Sequence, residues 1–157
     1  MAFWLFFTAM DLLIPGIMVG IGTRFLKHPP GTINAWYGYR TARSMKNQET
    51  WNFAHETCGR LWVRLGKLSF LPALLAAVLT FGRGIETVSV ASIVVVTVQT
   101  LVLIGSIFPV ERALKRNFDD FGRKRYSGND LKPATSTDTE RLSTHRGRWL
   151  GKLRRGG

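Results

Sequence analysis

Two groups of residues have the types and spacing to do chemistry. Asn34, Tyr39, Arg40, Thr41 and Asn47 place amide, phenol, guanidinium and hydroxyl groups close together in a stretch punctuated by turn formers. The planar fork of Arg40 suits a carboxylate, to which it can make paired, charge-assisted hydrogen bonds. Glu111 and Glu49 are the carboxylates to expect opposite it. Glu111 is preferred, because it stands where an apolar block ends and so falls near the loop that holds Arg40. These residues are expected to knit into a polar knot, pinning the loop to the protein or offering a recognition surface to a lipid head group or a regulatory protein. The second group is a pair, Asp11 and Gln99, each inside an apolar block and at similar depth. A carboxyl there is costly without a partner, and a hydrogen bond between Gln99 and a protonated Asp11 would satisfy both and tie two helices together. A proton relay would need a second ionisable group at that depth, and the sequence has none.

Catalytic motifs are missing. The single cysteine, Cys58, allows no intrachain disulfide and no cysteine-based metal site, and reads as a small half-buried apolar residue. His28, His55 and His145 are far apart, and none stands at a metal-ligand spacing from another ligand type. No glycine-rich phosphate loop, nucleophile elbow or zinc-binding helix motif occurs. The expectation is a protein without catalytic residues, cofactor or metal.

The elements that must position these groups follow from how charge is distributed. The chain has 157 residues, a net charge of +12 and 45% apolar residues. Almost all the charge lies in residues 23 to 67 and 111 to 157, and the intervening blocks are nearly bare of it. A water-soluble helix would mix the two and present one wet and one dry face. Segregated blocks point to a bilayer.

The first block runs from Ala2 to about Gly22, close to the roughly 20 residues that a hydrocarbon core requires. No lysine or arginine precedes it and no small-x-small cleavage site follows it, so it reads as a retained span rather than a signal peptide. Trp4 and the neighbouring phenylalanines suit an interfacial anchor. The second span covers about residues 61 to 82, with Pro72 inside it and the long stems of Arg64 and Lys67 letting their charges reach the interface. The third covers 87 to 110 and is the most uniformly apolar. Its β-branched residues would suit a strand in water, but lipid leaves the backbone of an open strand unpaired, so a helix is expected. A turn around Gly82 to Glu86 makes spans two and three a helical hairpin.

The positive-inside rule orients the spans. The 23 to 67 segment carries eight Lys or Arg against Glu49 and Glu56, and the tail carries thirteen from Arg112 to Arg155. Three spans put both basic stretches on one side, expected to be the cytoplasm, with the amino terminus outside. Within the loop, 23 to 60, the pair Pro29 and Pro30 blocks a helix, and Asn47 can cap one that starts beside it, with Glu49 at the positive dipole end. Trp51, Ala54, Cys58, Leu61, Leu65 and Leu68 then form a stripe of three-four spacing. Gln48, Asn52, His55, Glu56 and Arg60 fall elsewhere. An amphipathic cytoplasmic helix is expected to run straight into the second span.

Taken together, Asn34, the run Gly38-Tyr39-Arg40-Thr41, Ser44, and Asn47-Gln48-Glu49-Thr50-Trp51 with Ala54 and Gly59 resemble the signature of the SdpI family of bacterial membrane proteins. After the third span, Pro109, Glu111, Leu114, Phe118-Asp119 and Gly122 continue the resemblance, which covers roughly residues 5 to 125. It implies a membrane module of the kind found in immunity proteins that protect a toxin-producing cell from its own secreted peptide, proteins also associated with signalling through a repressor recruited to the membrane. Larger immunity-type members carry extra membrane helices ahead of the shared module, whereas here the three-span module stands alone.

The tail, 126 to 157, is expected to be flexible and basic. Arg146, Arg148, Lys152, Arg154 and Arg155 surround Trp149 near its end, a composition suited to an anionic leaflet, where each basic residue gains on the order of 1 kcal/mol. The combined expectation is an all-α membrane protein of three spans, 1 to 125, with this tail. Its partners would be anionic lipids and another protein in the membrane, and no nucleic acid. In function it would be a non-enzymatic binding or regulatory protein of the SdpI type, immune to a membrane-active peptide or serving as an accessory subunit of a larger complex.

Overall fold

The structure, a computed structural model, describes residues 1–125. These form four helices: α1, Ala2–Lys27; α2, Gln48–Thr80; α3, Ile85–Gly105; and α4, Ile107–Asn117. No strand occurs among the described residues beyond an isolated bridge between Phe118 and Lys124. Three helical stretches are long and apolar enough to cross a membrane: α1, α2, and α3 together with α4. The expected all-α, three-span architecture is what the chain adopts. The tail residues Arg146, Arg148, Trp149, Lys152, Arg154 and Arg155, and the expected tail region 126 to 157 as a whole, lie outside the described residues.

Each helix ends for a local reason. Arg24 and Lys27 sit in the last turn of α1, where the helix dipole favours cations, and Pro29 and Pro30 forbid a further turn. Asn47 caps α2 as expected: its side chain accepts from the Thr50 amide at 2.9 Å, while Thr50 Oγ1 accepts from the Asn47 amide at 3.1 Å. Gly82, at φ +72°, turns the chain between α2 and α3. Pro109 explains the break between α3 and α4. It cannot donate to the Gly105 carbonyl one turn earlier, and its ring crowds that carbonyl, so α3 stops at Gly105.

α2 has 33 residues. That is about 50 Å of helix against a hydrocarbon core of ~30 Å, so about thirteen residues project beyond it. Glu49, Glu56 and Arg60 all fall in the N-terminal part, which makes Gln48–Arg60 the segment expected to project. The helix is continuous from there into the span.

The spans bury mostly small and polar residues and turn most large apolar ones outward, unlike a soluble bundle. α1 buries Asp11, Pro15, Met18, Gly22 and Phe25; α2 buries Gly66, Ser69, Ala73, Ala77 and Thr80; α3 buries Val88, Ser92, Val95 and Gln99. Leu71, Val78, Val90, Ile93 and Leu101 are exposed. Lipid rewards this arrangement, because close backbone approach rather than apolar burial drives helix association there. At the α1–α2 crossing, a Cβ added to Gly59 would stand 2.9 Å from the Gly22 carbonyl oxygen. Two expectations for α2 are corrected by the same logic. Leu68, placed on the same apolar stripe as the buried Trp51, Ala54 and Cys58, is 60% exposed because the stripe leaves the loop packing there. His55, placed off the stripe, is fully buried because the loop folds over it.

Candidate functional site

The loop between α1 and α2 folds back onto the projecting part of α2 and onto α4. Gly38 makes this possible. It has φ +126°, and a Cβ there would stand 2.3 Å from His55 Nε2, so no other residue fits. The next amide, that of Tyr39, donates to His55 Nε2 at 2.9 Å, and His55 Nδ1 lies 2.7 Å from the Trp51 carbonyl. A carbonyl only accepts, so Nδ1 carries the hydrogen and the ring is neutral. Burial holds the His55 pKa below the ordinary histidine value. Trp51 Nε1 in turn donates to the Pro30 carbonyl at 2.9 Å, fastening the start of the loop.

The expected knot forms in part. Ser44 Oγ accepts from the Thr41 amide at 2.9 Å and donates to the Tyr39 carbonyl at 2.7 Å. Thr50 Oγ1 lies 3.1 Å from the Ser44 carbonyl, so Tyr39, Thr41, Ser44, Asn47 and Thr50 form one network. Asn34 stands apart from it. Its Oδ1 accepts from the Trp36 and Tyr37 amides at 3.1 and 2.8 Å, closing a local turn. Glu49, in the first turn of α2, is exposed and makes no ion pair among the described residues.

The expected Arg40–Glu111 pair does not form. Glu111 Oε1 is met by the Tyr39 hydroxyl at 3.4 Å, and the same hydroxyl lies 3.3 Å from the Ile107 carbonyl at the α3–α4 joint. Burial, with the Glu111 charge beside it, raises the Tyr39 pKa, so the phenol remains a donor. The positive φ of Gly38 explains the outcome. When Tyr39 turns inward its neighbour turns out, and Arg40 is exposed with no ion pair among the described residues.

A second knot closes the far side of α4. Asp119 accepts from the Phe121 and Arg123 amides at 2.9 and 2.8 Å and from Arg123 Nε at 2.8 Å. The Arg123 amide bond is the chief cause of a lowered Asp119 pKa. Asn47 Nδ2 donates to the Gly122 carbonyl at 2.6 Å, and Arg43 pairs with Asp120 at 3.1 Å. Phe118 is buried, its ring 5.3 Å from that of Phe53. Residues 75 positions apart in sequence therefore meet at the cap of α2.

Inside the bundle, Asp11 and Gln99 come together as expected, but through other atoms. Gln99 Nε2 donates to the backbone carbonyl of Asp11 at 3.1 Å and to that of Ser69 at 3.2 Å. Pro15 has no N–H to give the Asp11 carbonyl, so the amide of Gln99 supplies the missing donor. The Asp11 carboxyl is taken instead by the Ser92 hydroxyl. The contacts of Ser92 with Asp11, of Ser69 with Gln99 and of His55 with Tyr39 were not foreseen from the sequence. The three-four spacing of Ser92, Val95 and Gln99 on one face of α3 was the signal for the first.

Among the described residues no group of three His, Cys, Asp or Glu gathers to hold a metal. A cleft of about 480 Å³ opens beside the loop, lined by Phe25, Leu26, Pro29, Pro30, Asn52 and Arg60 among others.

A family model described as the SdpI/YfhL protein family matches residues 32–110. The matched region holds most of the loop, α2, α3 and the first turn of α4. Over 51 residues the chain is 41% identical to "Uncharacterized protein YfhL" of Bacillus subtilis (strain 168). That stretch is 32% of this chain and 46% of the relative, so the chain spans about half the length of the curated relative it matches. No solved structure matches.

Proposed function

The chain belongs to the SdpI/YfhL protein family, and from that premise we propose that it is a non-catalytic binding and regulatory module of the bacterial cytoplasmic membrane. Its loop and basic tail lie in the cytoplasm and its amino terminus outside, as the charge bias favours.

One observation carries this reading. Trp36 is 94% exposed, although the residues on both sides of it are fastened, Asn34 by its turn and Gly38 and Tyr39 against His55. A large apolar ring held out on a rigid support, with exposed Arg40 close by in sequence, presents two of the residue types enriched among the hot spots of protein interfaces. The ordering cost of such a loop is already met before a partner arrives. A protein partner in the membrane is the proposed ligand, with anionic lipid under the basic stretches.

The specific form we propose for this role is the one that the resemblance to SdpI-type proteins implies, immunity against a membrane-active peptide. Deleting the protein and challenging cells with such peptides tests it: sensitivity should rise on deletion and be restored by the wild type but not by Trp36→Ala. Equal sensitivity with and without the protein ends the immunity form. Failure of Trp36→Ala to alter either rescue or the set of co-purifying proteins ends the platform reading.

An accessory-subunit role is the second reading, favoured by Phe108 on α4. It is 73% exposed and shares a cleft of about 270 Å³ with Pro109, Arg112, Ala113 and Arg116. Purification in mild detergent with a stoichiometric large partner that is lost in Phe108→Ala supports this reading over the first.

A further inference from the structure

Half of the Gln99 side chain is unprovided for. Its Nε2 serves the Asp11 and Ser69 carbonyls, yet its Oε1 is the one buried side-chain nitrogen or oxygen among the described residues with no hydrogen-bond partner. The residue is 1% exposed. Turning the amide over gives no relief, because the oxygen would then face two carbonyl oxygens. A buried acceptor fixed in this way calls for a hydrogen-bond donor or a positive charge.

Asp11, whose backbone carbonyl Gln99 holds, carries a carboxyl without a counter-charge. Asp11 is 4% exposed and receives only the Ser92 hydroxyl. No other ionisable side chain lies on α1 before Arg24, on α2 between Lys67 and Thr80, or on α3 after Glu86. Lys67, the nearest along α2, is exposed. From α2 the cluster receives Ser69 and no charge. An uncompensated carboxylate is expensive at this depth.

We propose that Asp11, Ser92 and Gln99 form a site for one monovalent cation inside the bundle, taken either as a proton on the carboxyl or as an alkali metal ion among these oxygens. A divalent ion would leave a net positive charge against a single carboxylate in surroundings of low dielectric. Carboxylate, hydroxyl and amide oxygens are the hard ligands that alkali ions prefer. Because α1 supplies Asp11 and α3 supplies Ser92 and Gln99, occupancy ties the first span to the third.

Infrared difference spectra of the full chain in phosphatidylethanolamine–phosphatidylglycerol vesicles, wild type minus Asp11→Asn, test the site in choline chloride and after sodium or potassium chloride is added. A neutral-carboxyl band that the salts leave alone identifies a proton. A carboxylate band that sodium or potassium shifts saturably identifies an alkali ion. In either case Gln99→Leu should displace the band or raise the half-saturating salt concentration about tenfold, and Thr97→Val, exposed on the same helix, should change nothing. Should Gln99→Leu fail to fold, Ser92→Ala serves in its place with the same expected effect. An ionised carboxyl indifferent to all three salts overturns the proposal, as does a band unmoved by both variants.

Discussion

The amide of Tyr39 donates to Nε2 of His55 across 2.9 Å, and that bond exists only while the ring is neutral. Protonation would put a hydrogen on Nε2, facing another donor, in a pocket walled by the Phe25 and Trp51 rings. Burial lowers the folded-state pKa from the ordinary 6.5, so the unfolded chain binds the proton more readily. Stability from this contact is complete above pH 6.5 and declines as the pH falls below it toward the lowered folded value. Thermal unfolding in detergent should therefore show a melting temperature that drops between pH 7 and pH 5.5. His55→Gln, uncharged throughout, should flatten that slope while lowering the melting temperature at neutral pH. An equal slope in both proteins would assign the effect elsewhere.

Asn47 does two jobs with one side chain, and they can be separated. Its Oδ1 caps α2 through the Thr50 amide and its Nδ2 holds the Gly122 carbonyl. Asn47→Ala loses both, about 1 kcal/mol for the cap and about 1 kcal/mol for the tertiary bond. Asn47→Asp keeps the cap and loses the second bond, so its cost should be near half. Gly122→Ala attacks the same contact from the other side: it forces an alanine to φ +79° and sets a Cβ 2.7 Å from Asn47 Nδ2. Denaturant unfolding followed by tryptophan fluorescence ranks the three. A cost for Asn47→Asp as large as that for Asn47→Ala would show that the knot, not the cap, is what matters.

How far the sequence alone reaches is visible in the same residues. The Asn47 cap was legible because capping is local: side chain and target amide are three residues apart. The spans were legible because hydropathy reports the surrounding solvent directly. His55 was not, since helical periodicity places a residue on a face but does not say whether a loop will cover that face. Arg40 and Glu111 have complementary charges, and pairing them was reasonable. The positive φ of Gly38 turned Tyr39 inward instead, a choice made by the backbone. The Asp11–Gln99 approach was foreseen from depth, but its atoms were not. Depth says nothing about which group Pro15 leaves without a donor.

The α1–α2 crossing should be the least tolerant surface in the bundle. Alanine at Gly59 would bring its Cβ to 2.9 Å from the Gly22 carbonyl oxygen and 3.0 Å from Leu26 Cγ. At Gly66 the nearest atoms are Val19 Cγ2 at 2.8 Å and Met18 Cβ at 3.0 Å. Backbone lies on one side in each case, so the helices must separate, at about 1–3 kcal/mol. Gly20, on the same helix as Gly22, has nothing within 4 Å of its would-be Cβ. Gly20→Ala should therefore be neutral or stabilise by up to about 1 kcal/mol through helix propensity. Unfolding by SDS in mixed micelles should place Gly59→Ala and Gly66→Ala well below the wild type and Gly20→Ala at or above it.

Pro15 and Gln99 should be energetically coupled although neither side chain touches the other's function directly. The proline ring removes the N–H that would serve the Asp11 carbonyl, and Gln99 Nε2 takes its place from another helix. In the wild-type background Gln99→Leu strands that carbonyl away from water, at a cost of about 1–3 kcal/mol. In a Pro15→Ala background the helix supplies its own donor, and the same substitution should cost less by about 1 kcal/mol. A double-mutant cycle of SDS unfolding free energies reads the difference. Additive effects would mean that the Ser69 carbonyl, the other acceptor of the Gln99 amide, carries the contact, and that the proline has no share in placing a polar side chain at the centre of the bundle.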